Sequence, residues 1–310
     1  MIKRNNKPFI HRYLVIGLHY YQNYDFTFDH QTNILVGESG LGKTKILHLL
    51  YLTLTKRWIT LAKQQFDFIS VWFDEDNYIE FSKGELEFYL LLTYEDVSFG
   101  AQKKAILEKF SNILKIIKSN VKSPIIYFPV YRDLKDDLGV IGKRFSDARY
   151  PEEFTSEEII EASSIEKDIL IPLSLEELFY GKRSFKTKEL QCLITLCNSY
   201  LLGIRLTLSD KLKVMIINNS TNDIVGLTQL SSGEKQLVYF FFKVFFSETA
   251  FAYILFDEPE LSIPIDWQRR LLLDLKTLKK DAFVLTITHS PFIFDNNLDL
   301  FTTGINIYKA

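Results

Sequence analysis

An α/β fold, with a mixed or parallel core sheet, an antiparallel β subdomain and a helical subdomain, is predicted by three observations on this 310-residue chain. Asn33-Ile34-Leu35-Val36 reads as a buried strand, and after a glycine-rich turn Ile46-Leu47-His48-Leu49-Leu50 opens a helix. Two further apolar runs, Phe251 to Phe256 and Ala282 to Ile287, have the length and composition of strands buried on both faces, and each ends in polar residues. Phe66 to Tyr94 reads as strand pairs around the acidic turn Asp74-Glu75-Asp76-Asn77, an antiparallel sheet beside the core.

Taken in order, Arg12 to Phe28 alternates as a hairpin with Gln22-Asn23 near its turn, and His30-Gln31-Thr32 leads into the strand at Asn33. A helix is expected from about Lys43 to Gln65. Strands follow at Phe68 to Phe73, Tyr78 to Phe81 and Phe88 to Leu92. Residues 101–122 show helical period, with Ile106, Phe110, Ile113, Leu114 and Ile117 on one side. Lys103, Lys104, Lys109, Lys115, Lys118 and Lys122 lie on the other, set against Glu108. That lysine face reads first as solvated and second as a contact for nucleic acid or an acidic partner. Pro124 to Pro129 is a strand; beyond it the chain is mixed, with an acidic stretch from Pro151 to Glu166 and a helix from Lys186 to Leu202. No heptad pattern runs through it, which excludes a long coiled coil. Strand-like runs at Lys213 to Ile217 and Asp223 to Thr228 flank a turn-rich spacer, and an apolar helix covers Leu237 to Phe246.

The net charge of −2 makes no global electrostatic case for nucleic acid or membrane, so any basic surface must be local. Cys192 and Cys197, five apart in an apolar helical stretch, suit neither a zinc pair nor a redox motif and are expected to be core thiols in a reducing compartment. Met1 to Lys7 is charged and runs into Pro8, which does not make a signal peptide. The most apolar run, Leu237 to Phe246, is interrupted by Lys243 and is far shorter than the roughly 20 residues of a membrane span. A cytoplasmic protein is expected.

The turn between the first core strand and its helix is Gly37-Glu38-Ser39-Gly40-Leu41-Gly42-Lys43-Thr44, a complete G-x-x-x-x-G-K-T phosphate loop. Its glycines let backbone N–H groups converge on a β-phosphate, and the helix N-terminus adds a favourable dipole. Lys43 would reach the β- and γ-phosphates, the Thr44 hydroxyl would bind Mg²⁺, and Lys45 borders the same pocket. Leu230-Ser231-Ser232-Gly233-Glu234 opens a helix and has two readings: an anion site, or an N-cap with Ser231 and Glu234 as a capping box. Asp257-Glu258-Pro259 closes one buried strand. Asp257 there would hold Mg²⁺ through its water shell, and Glu258 would orient and deprotonate an attacking water. Thr288-His289-Ser290-Pro291 closes the other, and His289 could hydrogen-bond a γ-phosphate.

This set resembles the ABC-class ATPases, and within them the SMC, RecF and OLD-like heads more than transporter subunits. The likeness spans nearly the whole chain. Gly37 to Thr44 matches the Walker A motif, Leu230 to Glu234 the signature motif, Phe251 to Glu258 Walker B, and His289 the switch histidine; Glu260-Leu261-Ser262 stands at the D-loop. The acidic Glu-Pro-Glu form is similar to OLD-like and prokaryotic defence ATPases. Two positions depart from the family pattern. Ser232 stands where the signature usually has glycine, and no Q-loop glutamine occurs in Ile126 to Arg132, where Arg132 could act instead.

The resemblance implies one ABC-type ATPase domain over residues 1–310. It would comprise an N-terminal lobe (1–132), a helical insertion (133–206) and a C-terminal lobe (207–310). It implies a homodimer or higher oligomer in which two heads sandwich ATP and Mg²⁺, with Ser231 acting in trans on the nucleotide held by Lys43 and Thr44 of the other copy. About 20 residues follow His289 and carry no nuclease motif. The likeness to compact anti-phage ATPases of the Septu and PARIS kinds therefore implies a switch or scaffold for a separately encoded effector such as a nuclease, without a membrane partner. Alternatives are a nucleotide-gated binding module with little hydrolysis and a transporter energy subunit.

Overall fold

The computed structural model describes residues 10–18, 22–38, 40–94, 100–129, 187–209, 213–247, 249 and 251–305. Ser39, Arg132, Lys186 and the acidic stretch from Pro151 to Glu166 lie outside them. The chain divides into two compact units. One takes Met1–Val130, Thr249–Leu261 and Gln268–Ala310; the other takes Tyr131–Glu248 and Ser262–Trp267.

In the first unit β1 (Arg12–Leu18) and β2 (Gln22–Thr27) form the expected hairpin. β4 (Phe68–Trp72) pairs antiparallel with β1, and β5 (Tyr78–Ser82) with β4, giving a sheet of order β2-β1-β4-β5. The second sheet is wholly parallel, with order β12-β3-β11-β10-β6. Its strands are β3 (Thr32–Val36), β6 (Ile125–Phe128), β10 (Tyr253–Asp257), β11 (Phe283–Thr288) and β12 (Thr302–Gly304). Every residue of β10 and β11 is buried, as expected of central strands covered on both faces.

The helix expected from Lys43 to Gln65 is two helices, α1 (Lys43–Leu54) and α2 (Trp58–Ala62). Between them Lys56 turns left-handed at φ 60°, its N–H donating to Thr53 O (3.1 Å) while that of Arg57 donates to Leu52 O (2.9 Å). This is a Schellman cap with lysine in the glycine position. Phe88 to Leu92 is also not a strand: it lies within α3 (Lys83–Tyr94). Ser82 and Glu85 start that helix with a reciprocal capping box, Ser82 N–H to Glu85 Oε2 (2.8 Å) and Glu85 N–H to Ser82 Oγ (3.3 Å).

α4 (Gly100–Asn120) buries Phe110, Ile113 and Ile117. Phe110 stacks on Tyr89 (4.2 Å between ring centres) and meets Trp58 edge-on (5.9 Å). Burial of an aromatic of this size contributes about 1.5–3 kcal/mol, which anchors α4 on α2 and α3. Lys109 is salt-bridged to Glu85 at 2.7 Å, whereas Lys115, Lys118 and Lys122 are exposed.

The described part of the second unit holds α5 (Thr187–Asn198), a three-stranded antiparallel sheet and α6 (Ser232–Phe245). The sheet is β7 (Ile204–Leu208), unforeseen in the sequence, with β8 (Val214–Asn218) and β9 (Ile224–Val225). Asn198 pins the end of α5 to β7 by donating to Leu206 O (2.8 Å) and accepting from Leu206 N–H (2.7 Å). Cys197 is buried, but Cys192 is exposed and not a core thiol: it falls on the outer face of a helix whose buried side is Leu190, Leu193, Ile194 and Cys197. α7 (Ile265–Leu278) buries Gln268, Leu271, Leu272 and Leu275.

Candidate functional site

The parallel sheet sets three chemical segments side by side at one edge. β11 lies between β3 and β10, with Thr288 in register with Val36 and Ile287 with Asp257. Their C-terminal ends therefore deliver, on adjacent strands, the phosphate loop from β3, His289 from β11 and Asp257-Glu258 from β10. Ligands of open α/β sheets bind at this edge.

The phosphate loop leaves β3 at Gly37 and ends at α1. Gly40 (φ 90°) and Gly42 (φ 65°) occupy left-handed backbone that only glycine enters freely. Gly42 is the N-cap of α1, brings no side chain to the helix end, and no acidic residue stands in the first turn. The helix thus presents its amides and positive dipole end to an incoming anion. Two buried tyrosines of the hairpin hold this segment from behind: Tyr24 donates to Leu41 O (2.7 Å) and Tyr13 to Ile46 O (3.1 Å). Burial raises the pKa of both phenols, which keeps them protonated and able to donate.

Lys43 is buried, and its ammonium folds back on the loop to bond Gly37 O (3.0 Å) and Glu38 O (2.5 Å). Its pKa is lowered by burial, opposed by the charges of Glu258, Asp257 and Glu260 in that order. Three carboxylates acting on one ammonium leave a surplus of hard oxygen donors, the kind Mg²⁺ takes. Among the described residues no three His, Cys, Asp or Glu side chains are grouped to hold a metal by themselves. Mg²⁺ is commonly held by one or two carboxylates together with phosphate and water. Asp257, fully buried at the end of β10, and the exposed Thr44 hydroxyl on the first turn of α1 are the residues that would hold it. Lys45 is half-buried on the same turn.

Glu258 turns the chain out of β10 with a left-handed φ of 46°, its N–H still bonded to Ile287 O (2.8 Å). A non-glycine residue there costs about 1–3 kcal/mol, and such strain clusters at functional sites. Its Oε1 lies 3.4 Å from His289 Nε2, with both side chains part-exposed at 22% and 35%. A carboxylate and an imidazole thus stand together at the end of the sheet.

Sequence reading missed the support beneath them. Glu260 Oε1 accepts the backbone N–H groups of His289 (2.8 Å) and Ser290 (3.3 Å). Gln268 donates to Glu260 O (3.4 Å) and accepts from Ser290 Oγ (2.6 Å). Nothing local to Glu260 could have signalled this, because its partners lie 29 and 30 residues away.

Leu230 to Glu234 belongs to the second unit. Ser231 is the N-cap of α6 and forms the full capping box: its Oγ accepts from Glu234 N–H (3.3 Å), and its N–H donates to Glu234 Oε2 (2.8 Å). The Ser231 hydroxyl also donates to Glu234 Oε2 at 2.8 Å. Ser231 and Ser232 are nonetheless exposed at the helix N-terminus, so the cap leaves the anion reading open. Gly233 is buried, and a Cβ there would lie 2.3 Å from the Ser262 carbonyl oxygen, a contact that admits only glycine.

Among the described residues no helix is long and apolar enough to cross a membrane. No protein-family model matches the chain, and no curated protein does. Among solved structures, it is similar to an SMC head bound to the C-winged helix domain of ScpA (TM-score 0.47, 14% identity, 97% of this chain and 95% of that one). It is likewise similar to the SMC head domain from Thermotoga maritima (TM-score 0.47, 12% identity, 97% and 95%). A third is an Smc head domain with an extended coiled coil, bound to the C-terminal domain of ScpA derived from Pyrococcus furiosus (TM-score 0.43, 11% identity, 97% and 94%).

Proposed function

We propose that the protein is an ABC-class ATPase head that closes into a dimer around ATP and switches a partner effector, in anti-phage defence or DNA maintenance in the cytoplasm. The observation that carries the ATPase reading is the shared sheet edge: a glycine loop opening a helix, a buried lysine, two successive carboxylates and a histidine reach one place from three adjacent strands.

The loop amides and Lys43 bind the β- and γ-phosphates. Bound Mg²⁺, held by Thr44 and Asp257, would neutralise phosphate charge. Glu258 orients a water and takes its proton as the water oxygen bonds to the γ-phosphorus and the bond to the β-phosphate bridging oxygen breaks. ADP and inorganic phosphate leave, and the proton returns to phosphate or solvent. His289, beside Glu258, donates to the γ-phosphate and loses that partner once hydrolysis is complete. Ser231 of the second copy acts on the same γ-phosphate in trans, so ATP holds the dimer and ADP releases it. The motif set supports this part of the reading, and the exposed N-terminus of α6 suits it. A separately encoded effector, such as a nuclease, reads the dimer state.

Glu258→Gln keeps the shape of the site and removes the base. The variant should bind ATP, fail to turn it over and accumulate as a dimer in size-exclusion chromatography with ATP. Only monomer under those conditions, with ATP bound, overturns the switch; absence of ATP binding by the wild type overturns the nucleotide reading.

A further inference from the structure

We infer that Glu260 is the positioning residue of His289: its carboxylate clamps the backbone of the loop after β11 and so holds the imidazole beside Glu258. The inference rests on the ATPase reading for its kinetic consequence, and on the hydrogen bonds alone for the clamp. One oxygen of Glu260 takes the N–H of His289 (2.8 Å) and shares that of Ser290 (3.3 Å) with Thr288 Oγ1 (3.0 Å); hydrogen bonds to a charged acceptor contribute more than neutral ones. Gln268, on α7, closes the frame from the other side by bonding Glu260 O (3.4 Å) and Ser290 Oγ (2.6 Å). The turn after β10 and α7 thereby both reach the loop after β11, Glu260 at its backbone and Gln268 at the Ser290 hydroxyl. His289 itself shows one side-chain contact among these bonds, the 3.4 Å approach to Glu258, so its orientation derives from its backbone.

The turn that carries Glu260 is built to aim it. Glu258 at φ 46° reverses the chain, Pro259 is buried, and Leu261 N–H returns to Glu258 O (3.3 Å), which sends the next carboxylate back toward β11. The second oxygen, Oε2, is buried with no hydrogen-bond partner. A carboxylate part-desolvated in this way is costly unless its other oxygen is well bonded, so the amide pair is what keeps it in place. Position 260 then acts through reach. A side chain of the same length with one acceptor oxygen should serve, and a shorter one that keeps the charge should not.

The test compares Glu260→Ala, Glu260→Asp and Glu260→Gln in the full chain. Amide exchange is read first, without nucleotide, on protein labelled with ¹⁵N-histidine and ¹⁵N-serine, the His289 signal being assigned by its loss in His289→Ala. E260A and E260D should speed exchange at His289 at least about tenfold, and less at Ser290, whose N–H keeps its bond to Thr288 Oγ1, with E260Q holding both near the wild-type rate. In parallel, E260A and E260D should lower kcat for ATP by about 10- to 100-fold, the range for partners that orient a functional group, with KM little changed. E260Q should recover most of that loss. The double variant His289→Ala/Glu260→Ala should be no slower than His289→Ala alone. Unchanged exchange in both E260A and E260D overturns the clamp. E260D active with E260Q dead assigns Glu260 to its charge on Lys43 and overturns the inference, and additive losses in the double variant do the same. If the wild type turns over no ATP, the ATPase reading falls, and the exchange measurement still decides the clamp.

Discussion

At the scale of single residues, the least expected group is His48, on the first helix after the phosphate loop. It lies beside the stacked pair Tyr51 and Tyr127, with ring centres 6.5 and 6.0 Å away. Burial, with Arg57 adding like charge, lowers its pKa from the usual 6.5 to about 4. Below pH 6.5 the unfolded chain protonates this histidine while the folded chain keeps it neutral, so folding stability present above pH 6.5 is lost as pH falls toward 4. The full loss is about 3 kcal/mol. Urea midpoints for the wild type and His48→Gln should therefore converge as pH drops from 7 to 4.5; parallel curves would mean that His48 is solvated. The contiguous motif residues were legible one by one, because Gly40, Gly42, Lys43 and Thr44 act through local backbone that the sequence spells out. Tyr24, Glu260 and Gln268 were not, because each acts on a segment distant in sequence.

Among the elements, four of the five parallel strands were readable as apolar runs; β12, the short polar run Thr302–Gly304, was not, and the connections were misread at two helices. The sequence pattern saw one helix from Lys43 to Gln65 because Lys56 is not a residue that normally ends one. The left-handed cap is imposed by the surrounding fold. Lys56→Gly should raise stability by about 1 kcal/mol, since glycine avoids the left-handed penalty, and chemical denaturation would register it as a higher midpoint with unchanged slope. A lower midpoint would show that the lysine side chain contributes more than its backbone costs. The strand expected at Phe88 to Leu92 failed for a different reason. A short apolar run does not distinguish strand from helix, and the deciding signal was the Ser82/Glu85 pair upstream, spaced as a capping box.

For the molecule as a whole, the central question is whether one pocket needs two copies. On the proposed function, Lys43→Ala removes the phosphate grip of a copy and Ser231→Ala its contribution to a neighbour, so each variant alone should be inactive as a homodimer. Mixed in equal amounts they should regain up to about a quarter of wild-type turnover per dimer, the share of sites in which both groups are intact under random pairing. A Ser231→Ala variant active by itself would assign Ser231 to the cap of α6 alone, and a mixture as dead as its parts would overturn its action in trans. The arrangement of the parallel sheet bears on how such a machine tolerates change. Because β11 lies between β3 and β10, the ends of the two outer strands stand two ladder spacings apart, roughly 10 Å. Backbone pairing sets that interval, acting as a ruler that the loops inherit. Loop residues can therefore vary while the span between the strand ends that carry the phosphate loop and Asp257-Glu258 stays constant.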